Sequence, residues 1–470
     1  MLWLPVDAIE HLAQFLDYKT FASVKVTSRE IYELLNRPIY TQNASILTER
    51  ICYRVFERRE NLFISGPGGC GKTYTLNRIC YWAKQYGRKY AITAPTGIAA
   101  TNFPDGQTIH SFAGLGKGTK KLEMIIKDYE ERRMIPHREY WQSIDLLLID
   151  EISMVGSKML EKLDMLARLA RESFEPMGGI QLVFSGDFYQ LPPIGDFNIF
   201  TSKIWNQLRM RTVEMTIPVR QSEDRQYFHL LSRIRMGKMT KDDIFLLKSR
   251  ICPYNPSEIE PTRIYSNNNS VDEYNQLRFN QLTTPIEFSF HANDTVVEKI
   301  TVNGKTSYQQ TYRVSLADAR EKAKSAIIHS CPNIAQFRQG ALYILTINLR
   351  VSSRLVNGSR CIYVGEGKFQ FADGQIVKLK PYPFSIPIGN NCYLNRHQYP
   401  LRLGYAVTIH SSQGMTLDSA IIDLGSSIRM CGQAYVALSR VRSLEGLYLT
   451  KFEEKSIKVS KHARKFYGHD

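Results

Sequence analysis

The run Gly66-Pro67-Gly68-Gly69-Cys70-Gly71-Lys72-Thr73 fits the pattern G-x-x-x-x-G-K-[ST]. A loop this rich in glycine can turn successive backbone N–H groups toward an anion, and the helix that follows adds its own N-terminal amides. Lys72 would neutralise the β- and γ-phosphates of a bound nucleotide, and the Thr73 hydroxyl would be a ligand to Mg²⁺. Farther along, Leu146-Leu147-Leu148-Ile149 delivers two adjacent carboxylates, Asp150 and Glu151. Asp150 would hold Mg²⁺ through water, while Glu151 would orient and deprotonate an attacking water. A third segment, Gly186-Asp187-Phe188-Tyr189-Gln190-Leu191-Pro192-Pro193, offers the Gln190 amide, which can both donate and accept. That suits a sensor between a γ-phosphate and the attacking water, although the segment alone reads equally as a Gly/Pro-rich loop. The chemistry these residues share is hydrolysis of ATP with Mg²⁺ as cofactor.

Such groups need a rigid frame. Leu62–Ser65, Tyr90–Thr93, Leu146–Ile149 and Leu182–Ser185 are short apolar runs separated by amphipathic stretches, as in a buried parallel sheet with helices on its faces. This α/β domain is expected over residues 46–210, with the phosphate loop between a strand and a helix. The charged stretch Thr119–Trp141, with Lys120, Lys121 and Glu130 to Arg133, reads as a surface insertion near 115–141. Strand-like segments at Arg263–Ser266, Ala420–Leu424 and Leu447–Thr450 predict a second α/β unit built from 211–280 and 396–470. Between them, 281–395 is rich in Thr, Val, Tyr, Asn and Gly and predicts an inserted β-rich subdomain. Inside it Leu316–Ile328 should be helical, since Ala, Glu and Lys dominate there. Residues 1–45 read as a separate helical module with Ile9, Leu12, Phe15 and Leu16 at helical spacing.

Composition narrows the partners. Among 470 residues, 61 Lys and Arg against 45 Asp and Glu leave a net charge of +16, an excess suited to a polyanion. No apolar run approaches the roughly 20 residues that span a bilayer, so no membrane role is expected. The 8 cysteines are scattered, with no C-x-x-C pair, which argues against zinc and disulfides. The N-terminus has neither a secretory nor a transit pattern, and an intracellular site fits.

The ordered set of motifs resembles the PIF family of DNA helicases, relatives of the RecD-like superfamily-one enzymes. It comprises the phosphate loop, Ala94-Pro95-Thr96-Gly97, Thr108-Ile109-His110-Ser111-Phe112, Asp150-Glu151-Ile152-Ser153 and the Gly186 loop. The stretch from Leu163 through Met177-Gly178-Gly179-Ile180-Gln181 resembles the segment that distinguishes this family. Arg220-Gln221, Leu355-Val356-Asn357-Gly358, Thr408–Gly414 and Gly432–Arg440 complete the order.

The resemblance implies two RecA-like lobes with ATP between them and 5′–3′ movement along single-stranded or forked DNA. Work at a nucleus or a viral DNA replication site would follow. It also implies that Arg220 and Arg440 reach the γ-phosphate as arginine fingers and that Gln413 and Gly414 belong to the nucleotide site. Thr96, Gly97, His110, Ser111 and Phe112 on the first lobe, with Thr408 and His410 on the second, would contact DNA; Phe112 could instead be core. Two departures stand out: Ser411 occupies a position where most members carry lysine, and no glutamine stands at the usual adenine-reading place, Gln42 being offset and Arg50 closer. Leu4-Pro5, Ile9, Phe15-Leu16, Ser28-Arg29 and Tyr32 resemble an F-box, which implies docking of residues 1–40 on a Skp-type adaptor. The competing reading is an adaptor that links a ubiquitin ligase to DNA and unwinds little.

Overall fold

The computed structural model describes residues 44–469 except 101, 116–123, 125, 127–134, 253–260, 303–304, 348, 351–352, 354, 356–358, 372 and 390–391. The helical module up to residue 43, its F-box resemblance, Gln42 and Val356-Asn357-Gly358 therefore lie outside the described residues. The chain divides into two compact units: residues up to 259 together with 413–470, and residues 260–412.

In the first unit six strands form one parallel sheet. Leu62–Ser65 (β1), Tyr90–Ala94 (β2), Gln107–Thr108 (β3), Leu146–Ile149 (β4), Gln181–Gly186 (β5) and Arg211–Glu214 (β6) lie in the order β3-β2-β4-β5-β1-β6. β1, β4 and β5 are buried at every position, so their central residues are consecutive apolar ones instead of alternating apolar and polar. Alternate residues still serve opposite layers. Leu62 and Ile64 pack with Leu47, Ile51 and Val55 of helix α1 (Ala44–Phe56) and Leu76 and Ile79 of α2 (Lys72–Gln85). Phe63 faces the other layer, with Leu160, Leu163 and Ala167 of α3 (Ser157–Arg171). Each such aliphatic side chain contributes about 1.5–3 kcal/mol by leaving water. The sheet thus holds β1, β4 and β5 rigidly side by side, and their carboxyl ends open into Gly66, Asp150 and Asp187.

The structure corrects two expected boundaries. β6 pairs with β1, so the first sheet extends beyond residue 210. The end of the charged stretch is not a surface insertion: Ile135–Ser143 is a helix whose Trp141 is fully buried, 4.4 Å from the Phe112 ring. Dense flanking charge concealed one large apolar anchor. The same unit also contains Ala420–Leu424 paired in parallel with Leu447–Phe452.

The second unit is mostly antiparallel. Lys305–Gln310, Asn293–Val302, Cys392–Gln398 and Tyr382–Gly389 form a four-stranded sheet, and a five-stranded sheet runs through Arg360–Gly365 and Leu342–Leu345. The helix Leu316–Ser330 packs against the four-stranded sheet, with Ala319 and Ala323 buried beside Leu394. Thr262–Tyr265 pairs in parallel with Ala406–Thr408.

Candidate nucleotide-binding cleft

A cavity of about 710 Å³ opens at the carboxyl edge of the first sheet. Gly68, Gly69, Gly71, Lys72, Thr73, Asp150, Glu151, Gln190, Arg220, Gly414 and Arg440 all line it. The loop after β1 depends on its glycines. Gly66 has φ 147°, and a Cβ there would meet the Met215 carbonyl oxygen at 2.2 Å; at Gly69, φ 86°, a Cβ would meet Arg220 Cβ at 2.6 Å. Lys72 Nζ donates to the carbonyls of Gly66 and Pro67 at 2.7 and 2.8 Å, which bends the ammonium back over the loop. Cys70 is buried, and burial pushes its thiol up to about 11, so it stays protonated at neutral pH.

Thr73 Oγ1 donates to Asp150 Oδ2 at 3.3 Å. A hydroxyl and a carboxylate converging beside the phosphate loop are hard oxygen donors of the kind Mg²⁺ takes, so these residues fit that ion. Burial, and next the charge of Glu151, pushes the Asp150 carboxyl up to about 6. Glu151 itself sits at φ 49°, ψ 44°, a left-handed conformation that is strained for a residue with a Cβ. Gln413 Nε2 donates both to Glu151 Oε2 at 3.0 Å and to Gln190 Oε1 at 3.3 Å, tying these two side chains together.

Two guanidiniums complete the cleft. Arg440 is 2% exposed, and its side chain donates to Val436 O and Ser439 Oγ; no carboxylate pairs with it among the described residues. Burial, followed by the charge of Arg220, lowers it to about 10. Arg220 donates to Ser439 O at 2.8 Å, and burial lowers it as well. A buried and a half-buried cation near each other, with Glu151 as the carboxylate whose charge acts on both, suit an anion.

Three comparisons with known proteins bear on this arrangement. Residues 40–243 match the model of the PIF1-like helicase family. The ATP-dependent DNA helicase PIF1 of Xenopus laevis is 36% identical over 423 residues, covering 87% of this chain and 61% of the relative. The crystal structure of Pif1 helicase from Candida albicans superposes with a TM-score of 0.76 at 28% identity, covering 90% of this chain and 97% of that one. The chain is similar to the PIF1-like helicase family. Pif1 helicase from Bacteroides in complex with ADP-AlF3 and ssDNA is similar too, with a TM-score of 0.70, 26% identity and coverage of 90% and 95%. The chain spans about three-fifths of the length of the curated PIF1 relatives it matches. Its fold is that of these Pif1 structures: α/β, with parallel sheets and further antiparallel ones.

The positions that resemble the PIF family's DNA contacts are distributed unevenly. Thr96 is half-buried and its hydroxyl accepts from Ala99 N at 3.3 Å, opening the short helix that begins at the buried Gly97. Ser111 is exposed and His110 half-buried, its imidazole lowered by burial and then by Lys162. Phe112 is a correction: it is 1% exposed, wedged among Ile109, Tyr140 and Trp141, and has no face to offer a base. In the second unit Thr408 is buried, and its hydroxyl both donates to Ser411 Oγ at 2.9 Å and accepts from Ser411 N. Ser411, the departure from the family's lysine, thus closes a local turn. His410 Nε2 is buried without a partner.

Sequence reasoning missed a layer behind the cleft. Tyr435 Oη accepts from Gly68 N at 3.0 Å, linking the helix Gln433–Leu438 to the phosphate loop. Tyr467, on the helix Lys461–Tyr467, shares a 2.7 Å hydrogen bond with Ser65 Oγ and accepts from Phe188 N at 3.2 Å. Arg235 holds Asp187 by two 2.9 Å bonds, and the Tyr189 and Tyr467 rings lie 4.8 and 5.5 Å from its guanidinium. Burial, the largest effect, would lower Arg235, but the charge and hydrogen bonds of Asp187 together with Tyr435 and Tyr467 outweigh it and raise it. These contacts fix the amino-terminal side of the loop that carries Gln190. The available signal was Asp187 inside a motif: a carboxylate entering a core requires a buried cation.

Proposed function

We propose that this protein is an ATP-dependent DNA helicase that translocates 5′–3′ on single-stranded DNA and opens forked duplexes, acting in replication, repair or recombination. The observation that carries this reading is the convergence of Lys72, Thr73, Asp150, Glu151, Gln190, Arg220 and Arg440 on one cavity. Each has a step to perform. Loop amides and Lys72 bind the triphosphate. Thr73 and Asp150 would hold Mg²⁺, which when bound neutralises charge on the phosphates. Glu151, oriented through Gln413, takes the proton from water as its oxygen bonds to the γ-phosphorus and the bridging P–O bond breaks to leave ADP, and Gln190 aligns that water.

Arg220 and Arg440 neutralise charge on the transferring group. Without the γ-phosphate, the two cations keep only the charge of Glu151 between them, which favours opening of the cleft; alternation between these states drives movement along DNA. The net charge of +16 supports a phosphate backbone as track. The intact catalytic set speaks against an adaptor without turnover, and a nucleus or viral replication site suits such work. The test is ATP hydrolysis with and without single-stranded DNA. Slow turnover alone and fast turnover with DNA, both abolished by Lys72→Ala, are expected. DNA-independent turnover would overturn the helicase reading.

A further inference from the structure

A second cavity, of about 540 Å³, lies at the amino edge of the same sheet. Asn61, Asp145 and Gln181 mark the starts of β1, β4 and β5 in its wall, and Arg88 stands just ahead of β2. The nucleotide cleft lies at the carboxyl ends of these strands, so a strand's length of roughly 13–20 Å separates the two. Four arginines, Arg59, Arg88, Arg171 and Arg209, face only two carboxylates, Asp145 and Glu175, in its lining.

The arginines are not equivalent. Arg171 is spent on the carbonyls of Gly178, Trp141, Gln142 and Ile144, where it ties loops together. Arg88 donates to Gln181 Oε1 at 2.7 Å and to Asp145 O at 3.3 Å, but its Nε is buried without a partner. Burial, and then the charge of Arg59, lowers Arg88. The guanidiniums of Arg59 and Arg209 make no hydrogen bond or ion pair among the described residues.

The floor relieves them only in part, through the charge of Asp145 on Arg88, while Arg59 and Arg209 are exposed to solvent. Asn61 is engaged with Leu208 O and Leu182 N, Gln181 with Val55 O, Glu60 O and Arg88, and Asp145 Oδ2 with Lys89 N. The backbone adds a cost as well. Arg59 and Arg209 sit at φ 53° and 50°, where a Cβ is disfavoured relative to glycine.

We propose that this cavity is a phosphate-binding site, in which Arg59, Arg88 and Arg209 clamp the phosphate oxygens of a nucleotide-sized ligand. Planar guanidiniums bind tetrahedral oxyanions through paired N–H donors, and an anion there would cancel the repulsion between Arg59 and Arg88. The volume exceeds that of a single phosphate and lies in the range of small-molecule sites. The phosphate comes either from a nucleic-acid end or from a free polyphosphate, and both present the same oxygens.

The test uses the full chain with its ATP cleft filled by ADP and aluminium fluoride. Inorganic pyrophosphate is titrated calorimetrically into this protein and into the double variant Arg59→Gly, Arg209→Gly. Glycine suits both left-handed positions, so the variant should fold at least as well and keep its ATP turnover. One equivalent of pyrophosphate should bind, and the variant should bind it about tenfold or more weakly. A single-stranded oligonucleotide with a 5′-phosphate is then compared with its 5′-hydroxyl form. A preference for the phosphorylated end that disappears in the variant assigns the site to nucleic-acid ends; indifference to that end, with pyrophosphate still bound, assigns it to free polyphosphate. Absence of pyrophosphate binding with the cleft filled, or equal binding by the variant, overturns the proposal.

Discussion

Replacing Arg440 with methionine should separate stability from activity. Arg440 is buried with no carboxylate bonded to it among the described residues, and its guanidinium is lowered to about 10, by burial first and Arg220 second. A group whose folded value lies below its unfolded one is disfavoured in its cationic form by folding. That penalty is complete below about pH 10 and fades as pH rises toward the ordinary arginine value. At neutral pH the shift corresponds to about 3 kcal/mol of destabilisation, to order of magnitude. Against it stand the bonds to Val436 O and Ser439 Oγ, each worth about 1 kcal/mol. Methionine keeps much of the volume and removes the charge, so Arg440→Met should gain about 1 kcal/mol in the absence of nucleotide, a rise in Tm of about 2 °C. Turnover should meanwhile fall by about a thousandfold, as for loss of an arginine finger. Urea denaturation without nucleotide, paired with steady-state ATPase, reads both effects. A loss of 2 kcal/mol or more in ligand-free stability would show that the guanidinium is a structural strut and refute the assignment.

Other perturbations probe the surrounding groups. Glu151→Gln keeps the contact with Gln413 after an amide rotation but removes the base, so nucleotide should still bind while turnover drops about a hundredfold or more; normal steady-state hydrolysis would reject Glu151. Tyr467→Phe leaves Phe188 N unpaired and frees Ser65 Oγ. It should lower kcat several-fold, with the nucleotide KM changed by less than about twofold, and an unchanged kcat would mean the tail does not position Gln190. Binding of single-stranded DNA should weaken steeply between low and moderate salt in a filter-binding assay, given the net charge of +16; affinity independent of salt would remove the phosphate backbone as the track.

Legibility in the sequence followed physical locality. The phosphate loop and the Asp150-Glu151 pair were readable because a few adjacent residue types define them, and the strands that carry them are continuous apolar runs. Phe112 was ambiguous because one aromatic looks alike whether it faces a base or Trp141, and only the fold brings Trp141 within 4.4 Å of it. Trp141 was missed because dense charge precedes it in the chain. The contacts of Tyr467 with Ser65 and Phe188 join segments hundreds of positions apart, and no local pattern announces them. β6 was assigned to the wrong lobe because Arg211, Thr212 and Glu214 are exposed and only Val213 is buried, which leaves almost no apolar signal.

The central claim, a cleft that converts ATP hydrolysis into directed movement on DNA, is tested most directly by strand separation on duplexes bearing a single-stranded tail at either a 5′ or a 3′ end. ATP-dependent opening of the 5′-tailed duplex alone, lost in Lys72→Ala, is the predicted result. Opening of the 3′-tailed duplex instead, or of neither while ATP is consumed, would contradict it.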